Sequence, residues 1–395
     1  MVFDRSYFDR GIERRGTDSY KWDQMILETG DPNMIPMWVA DMDFPSPPAV
    51  SAALKKVLDR GTWGYTVAGD ADTRALCAFW KRRHKLEIPE PAVLMSPCVV
   101  TGMRVCIRAL TQPGDGVLIH TPVYGPFYGS IRDAGRVVVE SPMTVNADGV
   151  WQIDFEDTEA KLASGSVKAV LFCSPHNPCG RVWTREELKK LLDLCIRYGA
   201  WFICDEIHAD FVFDGAEHCS IFRVEGADSA AVMLCAASKT FNIAGLQQSA
   251  IVCMNEEGRE QIRQEMVRSG VVSGNAFALA ATRAAYTECD EWLDGLIAYL
   301  AENRDAVYRH AEENWPEIRV ARLSATYLMW LDCRALGLEQ TALLSKIQDC
   351  SVRLNDGLFF GERGRGFVRL NIACPRSQLE EALRRLNGVF AKKGA

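Results

Sequence analysis

Apolar residues along most of this chain follow two alternating patterns. Nearly continuous apolar runs at 117–120, 167–173, 200–204, 230–237 and 249–254 have the length of buried parallel strands, covered on both faces. Between them the apolar positions recur at helical spacing. Helices are predicted over 46–60, on Val50, Leu54, Val57 and Leu58 with a stop at Gly61, and over 71–85. A helix following Pro97-Cys98-Val99-Val100-Thr101-Gly102 carries Val105, Ile107 and Leu110 and ends near Pro113-Gly114-Asp115. The best-marked helix opens at Thr184, which forms a capping box with Glu187; Leu188, Leu191, Leu192 and Cys195 make its stripe, and Gly199 stops it. Such alternation predicts an α/β chain with a large, doubly wound, mostly parallel sheet. Helices are also predicted over 255–268 and 276–287, followed by a long one over 290–314 that breaks at Pro316. Strand-like alternation returns at 326–331 and 367–372, so a smaller α+β domain is expected at the carboxyl end. Residues 1–45 show weak periodicity and read as an arm belonging to that smaller domain. The expected division is therefore 1–45, 46–288 for the large domain and 289–395 for the small one.

Composition narrows the class. With 395 residues, 48% hydrophobic and 25% charged, the chain has material for two domains and a sizeable core. A formal net charge of −7 gives no electrostatic reason to expect nucleic acid or an anionic membrane as partner. Residues 1–23 carry charges throughout and lack an apolar h-region, so no signal peptide is expected, and no apolar run is long enough to span a bilayer. The 14 cysteines are scattered, many in apolar runs, without C-x-x-C spacing. They read as buried reduced thiols in a cytoplasmic protein, neither a disulfide framework nor a zinc site.

Candidate chemistry gathers where the apolar runs end. Lys239 follows one such run, which would place its amine at the carboxyl end of the sheet, where open α/β folds build their sites. Partial desolvation there lowers an amine's pKa and lets it form a Schiff base with an aldehyde; a solvated surface lysine is the plain alternative. The helix that follows Pro97–Gly102 starts with free N–H groups that can hold a phosphate, as any helix start can. Tyr124, just past the run at 117–120, is placed either to stack on a flat ring or to cap the core. Asn177 follows the run at 167–173 and fits a ligand contact or an Asx-turn. The stretch Asp205-Glu206-Ile207-His208-Ala209-Asp210 invites a metal reading, ranked here below an organic cofactor because no other histidine-rich segment accompanies it. Residues 37–45 look like an extended segment broken by acids; either its backbone lies beside a substrate, or it packs as an irregular arm. The second reading leads on sequence alone, as packing does for Tyr65 in its aromatic turn.

Taken in order, six motifs carry a resemblance. They are Trp38-Val39-Ala40-Asp41-Met42-Asp43-Phe44, Pro122-Val123-Tyr124, Ser174-Pro175-His176-Asn177-Pro178, the Asp205–Asp210 stretch, Ser238-Lys239-Thr240-Phe241-Asn242-Ile243-Ala244-Gly245-Leu246, and Arg369-Leu370-Asn371. The chain resembles the aminotransferase class I/II superfamily of fold-type I pyridoxal-phosphate (PLP) enzymes, and within it the MalY/PatB group of cystathionine β-lyases, or cysteine-conjugate C–S lyases. The resemblance implies that Lys239 carries pyridoxal 5′-phosphate covalently and acts as catalytic base. It implies that Asp205 pairs with the ring nitrogen, Asn177 bonds the ring's phenolic oxygen, and Tyr124 stacks on the ring. Ser238 and the amides of Val99 and Val100 would hold the phosphate, with His208 standing beside the cofactor. Tyr65 would reach the phosphate of a neighbouring subunit, which implies a homodimer. Arg369 would grip the substrate carboxylate, with Ala40 and Asp41 alongside.

Three positions set the chain apart within the superfamily: Gln247 where arginine is common, His208, the residue of the MalY/PatB group, where tyrosine is common elsewhere, and Cys98 where glycine is usual. The implied activity is α,β-elimination from cystathionine or a related cysteine thioether, giving pyruvate, ammonia and a thiol, in amino-acid metabolism such as methionine biosynthesis. The alternatives are PLP-dependent transamination, and a second role as binding partner of a transcriptional regulator.

Overall fold

A seven-stranded sheet organises the computed structural model, which describes residues 2–146, 149–271 and 274–391. Across it the strands run Val93–Ser96, Ser249–Val252, Ala231–Cys235, Trp201–Asp205, Val167–Cys173, Gly116–Thr121 and Val137–Pro142. Ser249–Val252 runs antiparallel to both of its neighbours, while the other ladders are parallel. Alternate side chains of each strand enter different cores. Val117, Ile119, Leu171, Ile203 and Leu234 pack under the helices Val99–Leu110, Pro126–Asp133 and Glu256–Arg268. Leu118, Val170, Phe172, Phe202 and Met233 pack on the opposite face, with Leu162, Leu188 and Leu192. Burial on both faces is why these strands read as unbroken apolar runs.

The second sheet has five strands, ordered Ile35–Met37, Val352–Asp356, Phe367–Asn371, Leu328–Asp332 and Arg319–Val320. Its first pair is parallel and the rest antiparallel, so the amino-terminal arm supplies one edge of a sheet otherwise built from residues beyond 318. Among the described residues no helix is long and apolar enough to cross a membrane.

Three expectations need adjustment. The helix over Val99–Leu110 includes Gly102 instead of starting after it. A Cβ at Gly102 would lie 3.2 Å from Ile251 and 3.5 Å from Leu234, so the glycine allows close helix–sheet approach, and the helix runs straight through it. The apolar run at 230–237 is strand only over Ala231–Cys235, because Ala237 already begins the short helix Ala237–Thr240. Of the supposed extended segment, only Met37 lies in a strand; residues 38–47 are irregular.

Candidate active site

The parallel strands end along one edge of the large sheet, and the chain leaves each strand carrying a polar group. Asp205 closes Trp201–Asp205 and lies opposite Cys173 on one side and Leu234 on the other, so the segments bearing Asn177 and Lys239 leave the sheet beside it. Tyr124 follows Gly116–Thr121, whose connection leads outward to the edge strand before the chain returns to Val167–Cys173. This reversal of winding direction is where an open α/β sheet leaves a crevice.

A cavity of about 150 Å³ occupies that crevice, lined by Ala40, Val99, Val100, Tyr124, Asn177, Asp205, His208, Ser238 and Lys239 together with Cys98 and Gln247. It shares Ala40, Tyr124 and Lys239 with a wider cleft of about 900 Å³ that also reaches Arg369. Lys239 Nζ donates to the Ala40 carbonyl at 2.7 Å. Burial, with Arg369 adding, pulls its pKa down, against opposing pulls from Asp41 and Asp205. Asp205 is buried and accepts the Ile207 N–H at 3.1 Å. Burial pushes its carboxyl up to about 7, with Glu206 adding, while the Ile207 bond and Lys239 pull the other way. His208 is buried and neutral: burial drops its pKa to about 3, with Lys239 and Arg369 adding, and its Nδ1 has no partner among the described residues.

Arg369 stands on the central strand of the smaller sheet and points across to the larger one. Its Nη1 donates to Asn177 Oδ1 at 3.0 Å and its Nη2 to the Trp38 carbonyl at 2.9 Å. Burial pulls this guanidinium down to about 10, still charged at neutral pH. Asn177 is therefore no Asx-turn: its side-chain oxygen faces Arg369, and its Nδ2 donates to nothing among the described residues. Ahead of Val99, Cys98 is extended and makes no side-chain cap to the helix, although its Sγ lies 3.3 Å from Thr101 Oγ1.

The irregular segment after Met37 turns out to present its backbone to the site. The carbonyl of Trp38 accepts from Arg369, that of Val39 from Asn371 at 2.6 Å, and that of Ala40 from Lys239. The Asp41 carbonyl accepts from Asn371 and Lys21, and the Met42 carbonyl from Asn242 and Arg14. The packing-only reading of this arm gives way, because the carbonyls of Trp38 and Ala40 accept from Arg369 and Lys239 at the site. Asp41 lines neither cavity; its carboxylate pairs with Arg14 at 2.8 Å. Asn242 and Asn371, which fasten the arm, were present in the quoted motifs without a role, since no local pattern shows which distant carbonyl an amide will meet.

The metal reading of residues 205–210 dissolves into separate contacts. Glu206 accepts from Ser220 and the Ile221 N–H and pairs with His218 at 2.8 Å, while Asp210 pairs with His84 at 2.8 Å and accepts from Thr240 at 2.6 Å. Tyr65 lies outside both cavities, fully exposed on the loop 61–69. Trp63, on the same loop, stacks against Phe277 at 5.4 Å.

The sequence model of the family described as aminotransferase class I and II matches residues 32–386. The chain is similar to cystathionine beta-lyase PatB of Bacillus subtilis (strain 168), at 39% identity over 97% of this chain and 100% of that one. It is similar to protein MalY of Escherichia coli (strain K12), at 36% identity over 95% of this chain and 96% of that one. Among solved structures it resembles cystalysin from Treponema denticola, which contains a pyridoxal 5′-phosphate cofactor, with a TM-score of 0.94 and 35% identity over 98% of both chains. It also resembles the PLP-bound C–S lyase from Staphylococcus hominis, with a TM-score of 0.90 and 30% identity over 97% of both chains.

Proposed function

The chain belongs to the aminotransferase class I and II family, and from that premise we propose that it is a pyridoxal 5′-phosphate-dependent carbon–sulfur lyase. It cleaves cystathionine or a related cysteine thioether by α,β-elimination, releasing pyruvate, ammonia and a thiol.

The groups in the crevice fit this cofactor. A buried carboxyl pushed up to about 7 by burial, which Lys239 only partly opposes, is short of a counter-charge, which a protonated ring nitrogen supplies. The Asn177 amide has a donor left for a phenolate, Tyr124 lines the cavity with its ring, and the uncapped start of Val99–Leu110 with Ser238 suits a phosphate. Gln247 lines the same cavity, a neutral side chain in place of an arginine's charge. Held through Lys239, the cofactor supplies a conjugated cationic ring that draws electron density from the substrate Cα.

The remaining roles belong to the chain. Arg369 takes the substrate α-carboxylate and, with Ala40 at the mouth, sets the Cα over Lys239. The amine of Lys239, its pKa lowered by burial and its position held by the Ala40 carbonyl, takes the Cα proton. Asp205 stays charged against the ring nitrogen. His208 remains neutral beside it, adding no cation to compete. The bond from Cβ to sulfur then breaks, sulfur leaves as a thiol after gaining a proton, and water replaces the amino group.

The same reading divides the chain at 45/46 and 288/289, makes it a cytoplasmic enzyme of amino-acid metabolism (methionine biosynthesis included), and pairs it in a homodimer through Tyr65. The observation that carries it is the Lys239 amine on the Ala40 carbonyl, in one crevice with Asp205 and Asn177. The test is incubation of PLP-loaded protein with L-cystathionine, coupled to borohydride trapping. Pyruvate, ammonia and thiol in equal amounts, with the cofactor's mass fixed on the Lys239 peptide, are expected. A 2-oxo acid of the intact substrate would make it a transaminase instead.

A further inference from the structure

The cleft above Lys239, at about 900 Å³, is far roomier than the amino-acid head held by Arg369 requires. Its outer wall carries charges of both signs. Arg353, from the strand Val352–Asp356, lies over the Trp38 ring, 4.2 Å from guanidinium carbon to ring centroid. Its Nη1 pairs with Glu28 Oε2 at 2.6 Å, and Glu28 Oε1 accepts from Gln24 at 3.0 Å. Glu28 comes from the arm helix Asp23–Thr29 and lines the cleft as well. Among the described residues the side chain of Arg353 makes no other hydrogen bond, so most of its five donors remain for a ligand.

Trp38 fixes where this pair stands. Its carbonyl receives Arg369 Nη2 at 2.9 Å and its ring carries Arg353, so the two guanidinium groups sit at opposite ends of one tryptophan residue. Tyr20 extends the shelf, its ring centroid 5.2 Å from that of Trp38. A lone arginine here would draw any anion. An arginine and a glutamate side by side on one wall match a zwitterion, carboxylate to Arg353 and ammonium to Glu28, with an apolar linker crossing the aromatic shelf. An apolar tail would desolvate both charges without replacing their water contacts.

We propose that Arg353 and Glu28 form a subsite for the distal amino-acid head of a thioether bearing an α-amino-carboxylate at each end, and so favour such two-headed substrates over cysteine conjugates with apolar tails. The proposal rests on the lyase reading and names the substrate class of the same site. Arg369 recognises the reacting head, which every cysteine thioether shares. Arg353 and Glu28 recognise what distinguishes one thioether from another.

The experiment compares kcat/KM for pyruvate release from L-cystathionine and from S-ethyl-L-cysteine in the wild-type, Arg353→Met, Arg353→Lys and Glu28→Gln holoenzymes. Loss of a charged hydrogen-bond partner lowers the cystathionine-to-ethylcysteine ratio by about 10- to 100-fold in Arg353→Met, through KM for cystathionine. Arg353→Lys regains part of the ratio, and Glu28→Gln lowers it. Calorimetric binding of L-cystathionine to Lys239→Ala protein weakens when Arg353→Met is added. An unchanged ratio in Arg353→Met, including an equal fall for both substrates from a loosened arm, overturns the proposal while leaving the lyase reading intact. Wild-type protein that releases pyruvate from neither thioether overturns the lyase reading, and the subsite with it.

Discussion

Lys239 and Asp205 are displaced from their ordinary titration in opposite senses by the same cause, removal from water. Burial favours the uncharged form of each, which suits Lys239 as a base but leaves Asp205 poorly balanced until a cation faces it. Lys239→Ala should therefore lower pyruvate release by about 10²- to 10⁴-fold, the usual scale for a lost proton-transfer group, measured in a coupled lactate dehydrogenase assay. Asp205 has a pH signature in the cofactor-free protein. A carboxyl whose folded pKa, near 7, lies above its ordinary 3.8 takes up a proton on folding, so its contribution to stability falls as pH rises between those values. Wild-type protein should lose stability relative to Asp205→Asn as pH goes from about 4 to about 7, by up to about 1.4 kcal/mol per pH unit, and hold level above that. Urea midpoints at pH 5 and 7.5 check this; with the cofactor bound the slope should vanish, because a cation opposite Asp205 keeps it charged in the folded state too.

The arm couples the two sheets, and one buried ion pair anchors it. Lys21 and Asp43 are each 1% exposed and meet at 2.8 Å; Lys21 also donates to the Asp41 carbonyl, while Trp22 and Gln378 donate to Asp43. Lys21→Met leaves the Asp43 carboxylate buried with neutral donors and one arginine at 3.5 Å. Removing one partner of such a pair should cost about 3 kcal/mol, read from urea unfolding, and should raise KM because the Trp38–Met42 carbonyls lose their footing. None of this was legible beforehand, since Lys21 and Asp43 are 22 residues apart in a stretch without periodicity. Elements buried on both faces were legible: the strand Val167–Cys173 matches its apolar run to the residue. The edge strand Val137–Pro142 escaped because its side chains are mostly half-buried and its first valine is exposed. The helix Pro126–Asp133 is not among the elements predicted from the sequence, since a start on glycine and proline is as compatible with a loop as with a first helical turn. The motif residues that line the crevice were legible as types, whereas Arg353 and Glu28 sit outside every motif and meet only in the folded chain.

At the scale of the molecule, the loop 61–69 is the least explained surface of a single chain. Trp63, Tyr65 and Val67 are all well exposed there, and Leu58 nearby adds to the patch. Three large side chains in water on one short loop are the mark of a contact surface, and a symmetric pair of chains would bury the same loop twice. If Tyr65 completes the phosphate cradle of a second copy, the two halves of one site reside on different chains, and this can be tested without a structure of the pair. Tyr65→Ala should weaken PLP binding by about 10- to 100-fold, the value of one hydrogen bond to a charged oxygen, while leaving Lys239 intact. Lys239→Ala should keep Tyr65 but have no amine. Refolded together at equal amounts, at a cofactor level too low to load Tyr65→Ala alone, half of the pairs become mixed, and each mixed pair holds one site with both residues. Activity should then recover to roughly a quarter of wild type, as random symmetric pairing dictates. A mixture as inactive as its parents would mean that Tyr65 serves only its own chain, and Tyr65→Ala protein that binds PLP as tightly as wild type would return Tyr65 to being a surface residue.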